Sequence, residues 1–178
     1  SQSFLEVKLL ECKMAIEQGA NEIDIVLALN AFMEGDFQRA AHEISEIKKV
    51  IGDKHLKVIL ETGALSSPDK IAAASFLAME AGADFIKTST GKQEPAATPM
   101  AAIVMCECIK AYYKKTGKKI GFKPAGGMKT VGDALSYYTI VKEVLGEKWL
   151  NNTMLRLGTS SLANKLLTDI LGTETKFF

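Results

Sequence analysis

Phe85-Ile86-Lys87-Thr88-Ser89-Thr90-Gly91-Lys92 and, further along, Gly121-Phe122-Lys123-Pro124-Ala125-Gly126-Gly127 each carry a lysine in a short apolar run that reads as a β-strand. Lysine is strongly hydrated and normally stays in solvent, so a lysine inside such a run is either misplaced or functional. If neighbouring strands bring Lys87 and Lys123 side by side, each disfavours the other's charge. One of them can then present the neutral amine that attacks a carbonyl to form a Schiff base. A free lysine, with a reference pKa of ~10.4, is almost wholly protonated at neutral pH; bringing such a group to ~7 takes roughly 4 to 5 kcal/mol, which burial beside a second cation can supply.

Outward from these two stretches the chain repeats one unit. Short apolar runs at Glu22 to Leu27, Leu56 to Glu61, Asp84 to Ser89, Ile120 to Ala125 and Met154 to Thr159 alternate with amphipathic segments of helical period. The helical segments fall near Ser3 to Gln18, Phe37 to Val50, Pro68 to Ala81, Pro99 to Lys115, Val131 to Leu145 and Leu162 to Leu171. The runs recur at about thirty residues, the length of one strand-helix unit, so a parallel sheet with right-handed crossovers is expected. Two parallel solutions compete, an open doubly wound sheet and a closed (β/α)8 barrel. Within the runs polar residues sit at alternate positions: Glu22 and Asp24, Lys57 and Glu61, Lys87 and Ser89, with Lys123 alone in its run. A barrel gathers inward residues of one parity around its axis, whereas a doubly wound sheet covers both faces with apolar packing, so this parity favours the barrel. Strand-edge charges reaching solvent are the competing explanation. Lys57 and Glu61 are read as members of the same polar network, without a catalytic role.

Composition sets the frame. The chain has 178 residues, 47% hydrophobic and 24% charged, with a formal net charge of +1, enough for one globular domain with a sizeable core. Scattered basic residues without an aromatic-interleaved stripe argue against a nucleic-acid partner. No apolar run approaches membrane-spanning length. Cys12, Cys106 and Cys108, with no secretory leader in view, read as reduced thiols of a cytoplasmic protein. His42 and His55 lack a metal-binding spacing, and no metal site is expected.

Two glycine-containing loops suggest anion binding. Gly126-Gly127 follows one run, and Gly158-Thr159-Ser160-Ser161 follows the next just before a helical pattern. In barrels the loops after the last strands commonly hold phosphate, with glycines admitting it to backbone amides at a helix N-terminus. Tight turns and a serine cap are the simpler alternative for either loop alone. Lys92 and Lys129 are candidates for added positive charge, against a plain solvated-surface role. Thr90-Gly91-Lys92-Gln93 lacks the hydroxyl and the upstream glycine of a nucleotide P-loop.

The segments Asn21 to Val26, Lys57-Val58-Ile59-Leu60-Glu61-Thr62-Gly63, Phe85 to Lys92, Gly121 to Gly127 and Gly158 to Ser161 closely resemble the deoxyribose-phosphate aldolase family, in order and spacing, over nearly the whole chain. The resemblance implies a TIM (β/α)8 barrel. It also implies reversible cleavage of 2-deoxy-D-ribose 5-phosphate to D-glyceraldehyde 3-phosphate and acetaldehyde, with no metal or organic cofactor. Carried over by position, Lys87 is the Schiff-base lysine, Lys123 the second lysine that perturbs it, and Asp24 part of the proton-transfer network. Gly126, Gly127, Gly158, Ser160, Ser161, Lys92 and Lys129 form the substrate-phosphate site. A homodimer or higher assembly is the implied state. A complete barrel takes ~250 residues against 178 here, so about five of eight units are expected, with roughly seventy residues and three strands lacking at the N-terminus. On this reading residues 1–178 form one partial barrel domain, with 172–178 as a tail that packs or is disordered. Lys129 stands where many relatives carry arginine, and Phe177 and Phe178 stand where some offer a tyrosine hydroxyl. A non-catalytic remnant that binds phosphorylated sugars or a partner chain is the alternative function.

Overall fold

A computed structural model describes residues 2–160 and 162–177. Helix α1 (Leu5–Glu17) leads into strand β1 (Glu22–Val26), then α2 (Leu29–Met33), α3 (Phe37–Ile51), β2 (His55–Ile59), α4 (Thr62–Leu65) and α5 (Pro68–Glu80). Strand β3 (Phe85–Lys87), α6 (Pro99–Thr116), β4 (Gly121–Lys123), α7 (Val131–Leu145), a 3-10 turn (Glu147–Trp149) and α8 (Leu162–Leu171) complete it. All six expected helices are present. The short α2, α4 and the 3-10 turn, too brief to show a period, were not foreseen.

Local chemistry sets the starts of α3, α5, α6 and α7. The side chains of Asp36, Ser67, Thr98 and Thr130 accept from the backbone N–H groups of Arg39, Lys70, Ala101 and Asp133 at 3.0, 3.3, 3.2 and 3.1 Å. Pro68 and Pro99 open α5 and α6, where a missing N–H leaves nothing unsatisfied. Thr130 and Asp133 cap reciprocally, since Asp133 Oδ2 accepts from Thr130 N–H at 2.8 Å.

The sheet is parallel, in the order β1-β2-β3-β4. Each long helix packs on the next, α1 on α3, α3 on α5, α5 on α6, α6 on α7 and α7 on α8, giving one continuous helical layer. A doubly wound sheet reverses its strand order and splits its helices between two faces. Sequential order with a single layer is barrel topology. The apolar core joins Leu56, Val58, Leu60, Ile86 and Phe122 of the outward parity to Ile44, Ile47, Ile71, Met105 and Ile109 of the helices. The opposite face carries the polar parity.

The fifth run differs from expectation. Residues 154–158 lie parallel beside β4 but form only two isolated bridges, Phe122 with Leu155 and Ala125 with Gly158. Phe122 N–H donates to Met154 O at 2.8 Å and Arg156 N–H to Phe122 O at 3.1 Å, and the next bond in that ladder needs an N–H from residue 124. Pro124 has none, so the strand is interrupted there and resumes with Gly158 N–H to Pro124 O at 2.9 Å. Of the tail, residues 172–177 are described. Gly172 turns at φ 66, and Thr175 and Phe177 donate their N–H groups to Thr168 Oγ1 and Asn164 Oδ1, both at 2.9 Å, so the segment folds back along α8.

Candidate active site

Strand register assembles the site. Asp24 stands opposite Lys57, and Lys87 opposite Lys123, each pair on adjacent strands about 4.8 Å apart and on the same face. Because Lys87 and Lys123 are the last residues of β3 and β4, their amines gather at the C-terminal end of the sheet. That is the end where barrel enzymes place their chemistry.

One carboxylate holds three amines. Asp24 Oδ2 accepts from Lys87 Nζ at 3.1 Å and from Lys123 Nζ at 2.9 Å, while Oδ1 accepts from Lys57 Nζ at 2.8 Å. Lys57, almost wholly buried, also pairs with Glu22 Oε2 at 2.7 Å. Arg156 closes the row, reaching Glu22 Oε1 at 2.9 Å with its guanidinium over the Phe85 ring. Burial pushes the Asp24 carboxyl up, but the hydrogen bonds from Lys57, Lys123 and Lys87 outweigh it and hold the group well below the usual carboxylate range. Lys57, ahead of the opposing effect of burial and the help of Arg156, likewise holds Glu22 low. Four basic side chains thus face two carboxylates, and the face attracts anions.

The three residues expected to carry chemistry, Lys87, Lys123 and Asp24, are therefore brought together. Sequence reading left Lys57 at the margin and did not single out Glu22 or Arg156 as site residues. The signal was present, since Glu22, Asp24, Lys57, Lys87 and Arg156 all share the inward parity of their runs. Glu61 does not join this network. Its carboxylate turns away and accepts from Thr90 N–H at 3.1 Å and Thr90 Oγ1 at 2.6 Å.

Around the glycine loops, the amide of Gly126 is not free for an anion, because it donates to Gly158 O at 3.1 Å. Gly126 serves close approach instead: a side chain there would bring its Cβ to 3.0 Å from Gly91 Cα. Gly158 is similar, with Ala125 Cβ 2.7 Å from the position a Cβ would take. Gly127, at φ 78, makes no hydrogen bond through its amide among the described residues. The side chains of Ser160, Lys92 and Lys129 are likewise without a protein partner among the described residues; Lys129 contributes its carbonyl to Lys165 Nζ at 2.6 Å. Ser161 lies outside the described residues. No group of three or more His, Cys, Asp or Glu side chains suited to a metal ion occurs among the described residues. Cys12, Cys106 and Cys108 are buried free thiols, with burial pushing the Cys106 and Cys108 thiols up, that of Cys108 to about 11. No helix of the described residues is long and apolar enough to cross a membrane.

Single-layer strand-helix topology in sequential strand order, with lysines and a carboxylate gathered at the strand ends, defines a protein of the β/α-barrel class. The chain belongs to the DeoC/LacD family of aldolases, whose model matches residues 1–162. It is 44% identical over 169 residues to the deoxyribose-phosphate aldolases of Mus musculus and Homo sapiens, covering 95% of this chain and 53% of each relative. The chain thus spans about half the length of these curated relatives. Among solved structures, the aldolase QR15 superposes with a TM-score of 0.79 at 29% identity, covering 96% of this chain and 69% of that one.

Proposed function

We propose that the protein is a deoxyribose-phosphate aldolase that cleaves 2-deoxy-D-ribose 5-phosphate reversibly through a Schiff base on Lys87. The observation that carries this reading is the single oxygen, Asp24 Oδ2, shared by the amines of Lys87 and Lys123 at 3.1 and 2.9 Å. The neutral amine of Lys87 adds to the C1 aldehyde carbon of the open sugar, and loss of water leaves a protonated imine. Removal of the C3 hydroxyl proton lets the C2–C3 bond break. Its electron pair moves into the imine, giving an enamine and releasing glyceraldehyde 3-phosphate. Protonation at C2 and hydrolysis then free acetaldehyde and Lys87.

Asp24, held ionised by three amines, turns Lys87 and Lys123 toward one point, offsets their charge and belongs with them to the proton-transfer network. Lys123, with a bridging water, carries protons to and from the sugar. Lys92, Lys129, Gly127, Ser160 and Ser161 receive the phosphate, with Gly126 and Gly158 shaping the loops. The reaction uses no metal or organic cofactor. The protein works as a cytoplasmic homodimer or higher assembly with no nucleic-acid or membrane partner; its buried free cysteines agree with a reducing compartment.

Incubation with acetaldehyde and borohydride tests the mechanism. N-ethyl-lysine at position 87, located by peptide mass spectrometry and lost in Lys87→Met, is the expected result. An adduct confined to Lys123 reverses the roles, and no adduct on folded protein refutes the Schiff base.

A further inference from the structure

Two residues beyond β2, Glu61 enters the left-handed region at φ 54 and ψ 62, an uncommon conformation for a residue with a side chain. The residue is buried, at 5% exposure, yet no lysine or arginine pairs with it among the described residues. A buried carboxylate without a cation, on strained backbone, is unfavourable to the fold on both counts, so its hydrogen bonds must serve something.

Both of its oxygens are given to one residue. Oε1 accepts from Thr90 N–H at 3.1 Å and Oε2 from the Thr90 hydroxyl at 2.6 Å. That hydroxyl has a single proton, and it is committed to Glu61. Its lone pair is therefore turned outward, where it accepts the N–H of Lys92 at 3.1 Å. The same turn adds a second tie, Thr62 N–H to Thr88 O at 2.9 Å. From the other side Gly91 lies against Gly126, so the loop 88–92 is clamped between the end of β2 and the loop after β4.

We propose that Glu61 is a positioning residue for substrate phosphate: through Thr90 it fixes the backbone of Lys92, and so aims the Lys92 ammonium at the anion beside Gly127. The inference rests on the phosphate reading given above and adds to it a residue outside the lysine cluster. Glu61→Leu keeps a similar size and removes both acceptors, so the N–H and the hydroxyl of Thr90 lose their shared partner. The loop then loosens, and Lys92 is no longer held.

The test compares steady-state cleavage of deoxyribose 5-phosphate with that of unphosphorylated deoxyribose, using the complete protein. In Glu61→Leu the ratio of kcat/KM for the phosphorylated over the unphosphorylated sugar falls about tenfold, the loss appearing in KM. Thr90→Val, which keeps the branched shape and the N–H to Oε1 but removes the hydroxyl that links Glu61 to Lys92, lowers the same ratio, and it carries the test if Glu61→Leu does not fold. Equal loss on both sugars, or no change in the ratio, overturns the inference. A parent protein that does not favour the phosphorylated sugar overturns the phosphate reading itself and this inference with it, and that outcome is visible before any variant is made.

Discussion

Asp24→Asn removes the one charge that three lysines share while keeping the side chain's shape. The carboxylate accepts from Lys57, Lys123 and Lys87 at 2.8, 2.9 and 3.1 Å. The residue as a whole is exposed, because β1 has a strand neighbour on one side only, but its side chain is 28% exposed. Hydrogen bonds to charged groups contribute about 1.5–3 kcal/mol each. Solvent screening at the open edge discounts that sum, and released lysines can turn to water. A net loss of about 2 kcal/mol at neutral pH follows, or a melting temperature lower by roughly 4–8 °C for a chain of this size. The pH dependence has a definite sign. The folded-state pKa of Asp24 lies below its ordinary value of 3.8, so the unfolded chain binds more protons once the pH falls below that value. The stabilisation is complete at neutral pH and shrinks as pH falls through 3.8 toward the lower folded value. The asparagine variant lacks it at every pH, so the gap between the two proteins narrows in acid. Urea unfolding followed by circular dichroism, in steps from neutral to acid pH, measures this gap. A gap of zero at neutral pH, or one that stays constant into acid, refutes the assignment of Asp24 as the ionised hub of the cluster.

The other loops and the inner face give further expectations. Gly127→Asp places a negative charge beside an unpartnered amide at φ 78 and raises KM for the phosphorylated sugar more than Ser160→Ala does; equal effects on unphosphorylated deoxyribose would assign these residues to loop shape alone. Gly121→Ala drives a methyl into the ring of Phe85, which is fully buried opposite it, and destabilises the fold by about 1–3 kcal/mol in urea unfolding. An unchanged midpoint would show that the ring is free to move aside.

The starts of α3, α5, α6 and α7 were legible because each is written locally. Ser67-Pro68 and Thr98-Pro99 pair a cap with a proline at the first helical position, and no distant contact is needed to read them. The lysine pair was legible for another reason: charge inside apolar strand runs has few structural explanations. Glu61 was misjudged because parity extends only as far as the strand does. Once the backbone turns left-handed the alternation ends, and the side chain leaves the face on which counting puts it. Residues 154–158 read as a strand from their pattern, but the missing N–H belongs to a neighbour, Pro124, which the pattern of the run itself does not contain.

By itself the sequence determined the alternation of strand and helix, the parity that turns Asp24, Lys57, Lys87 and Lys123 to one face, and the membership of Lys87, Lys123 and Asp24 in one site. The first two follow from local periods and the marking of the lysines from the hydration of charge, whereas the joining of Asp24 to them is what the family resemblance implies. Tertiary structure alone decided that Asp24 takes three amines, that Glu22 and Arg156 extend the row, and that Gly126 gives its amide to Gly158. Each of those depends on the register between strands distant in sequence, which is fixed only when the helical layer closes over the sheet.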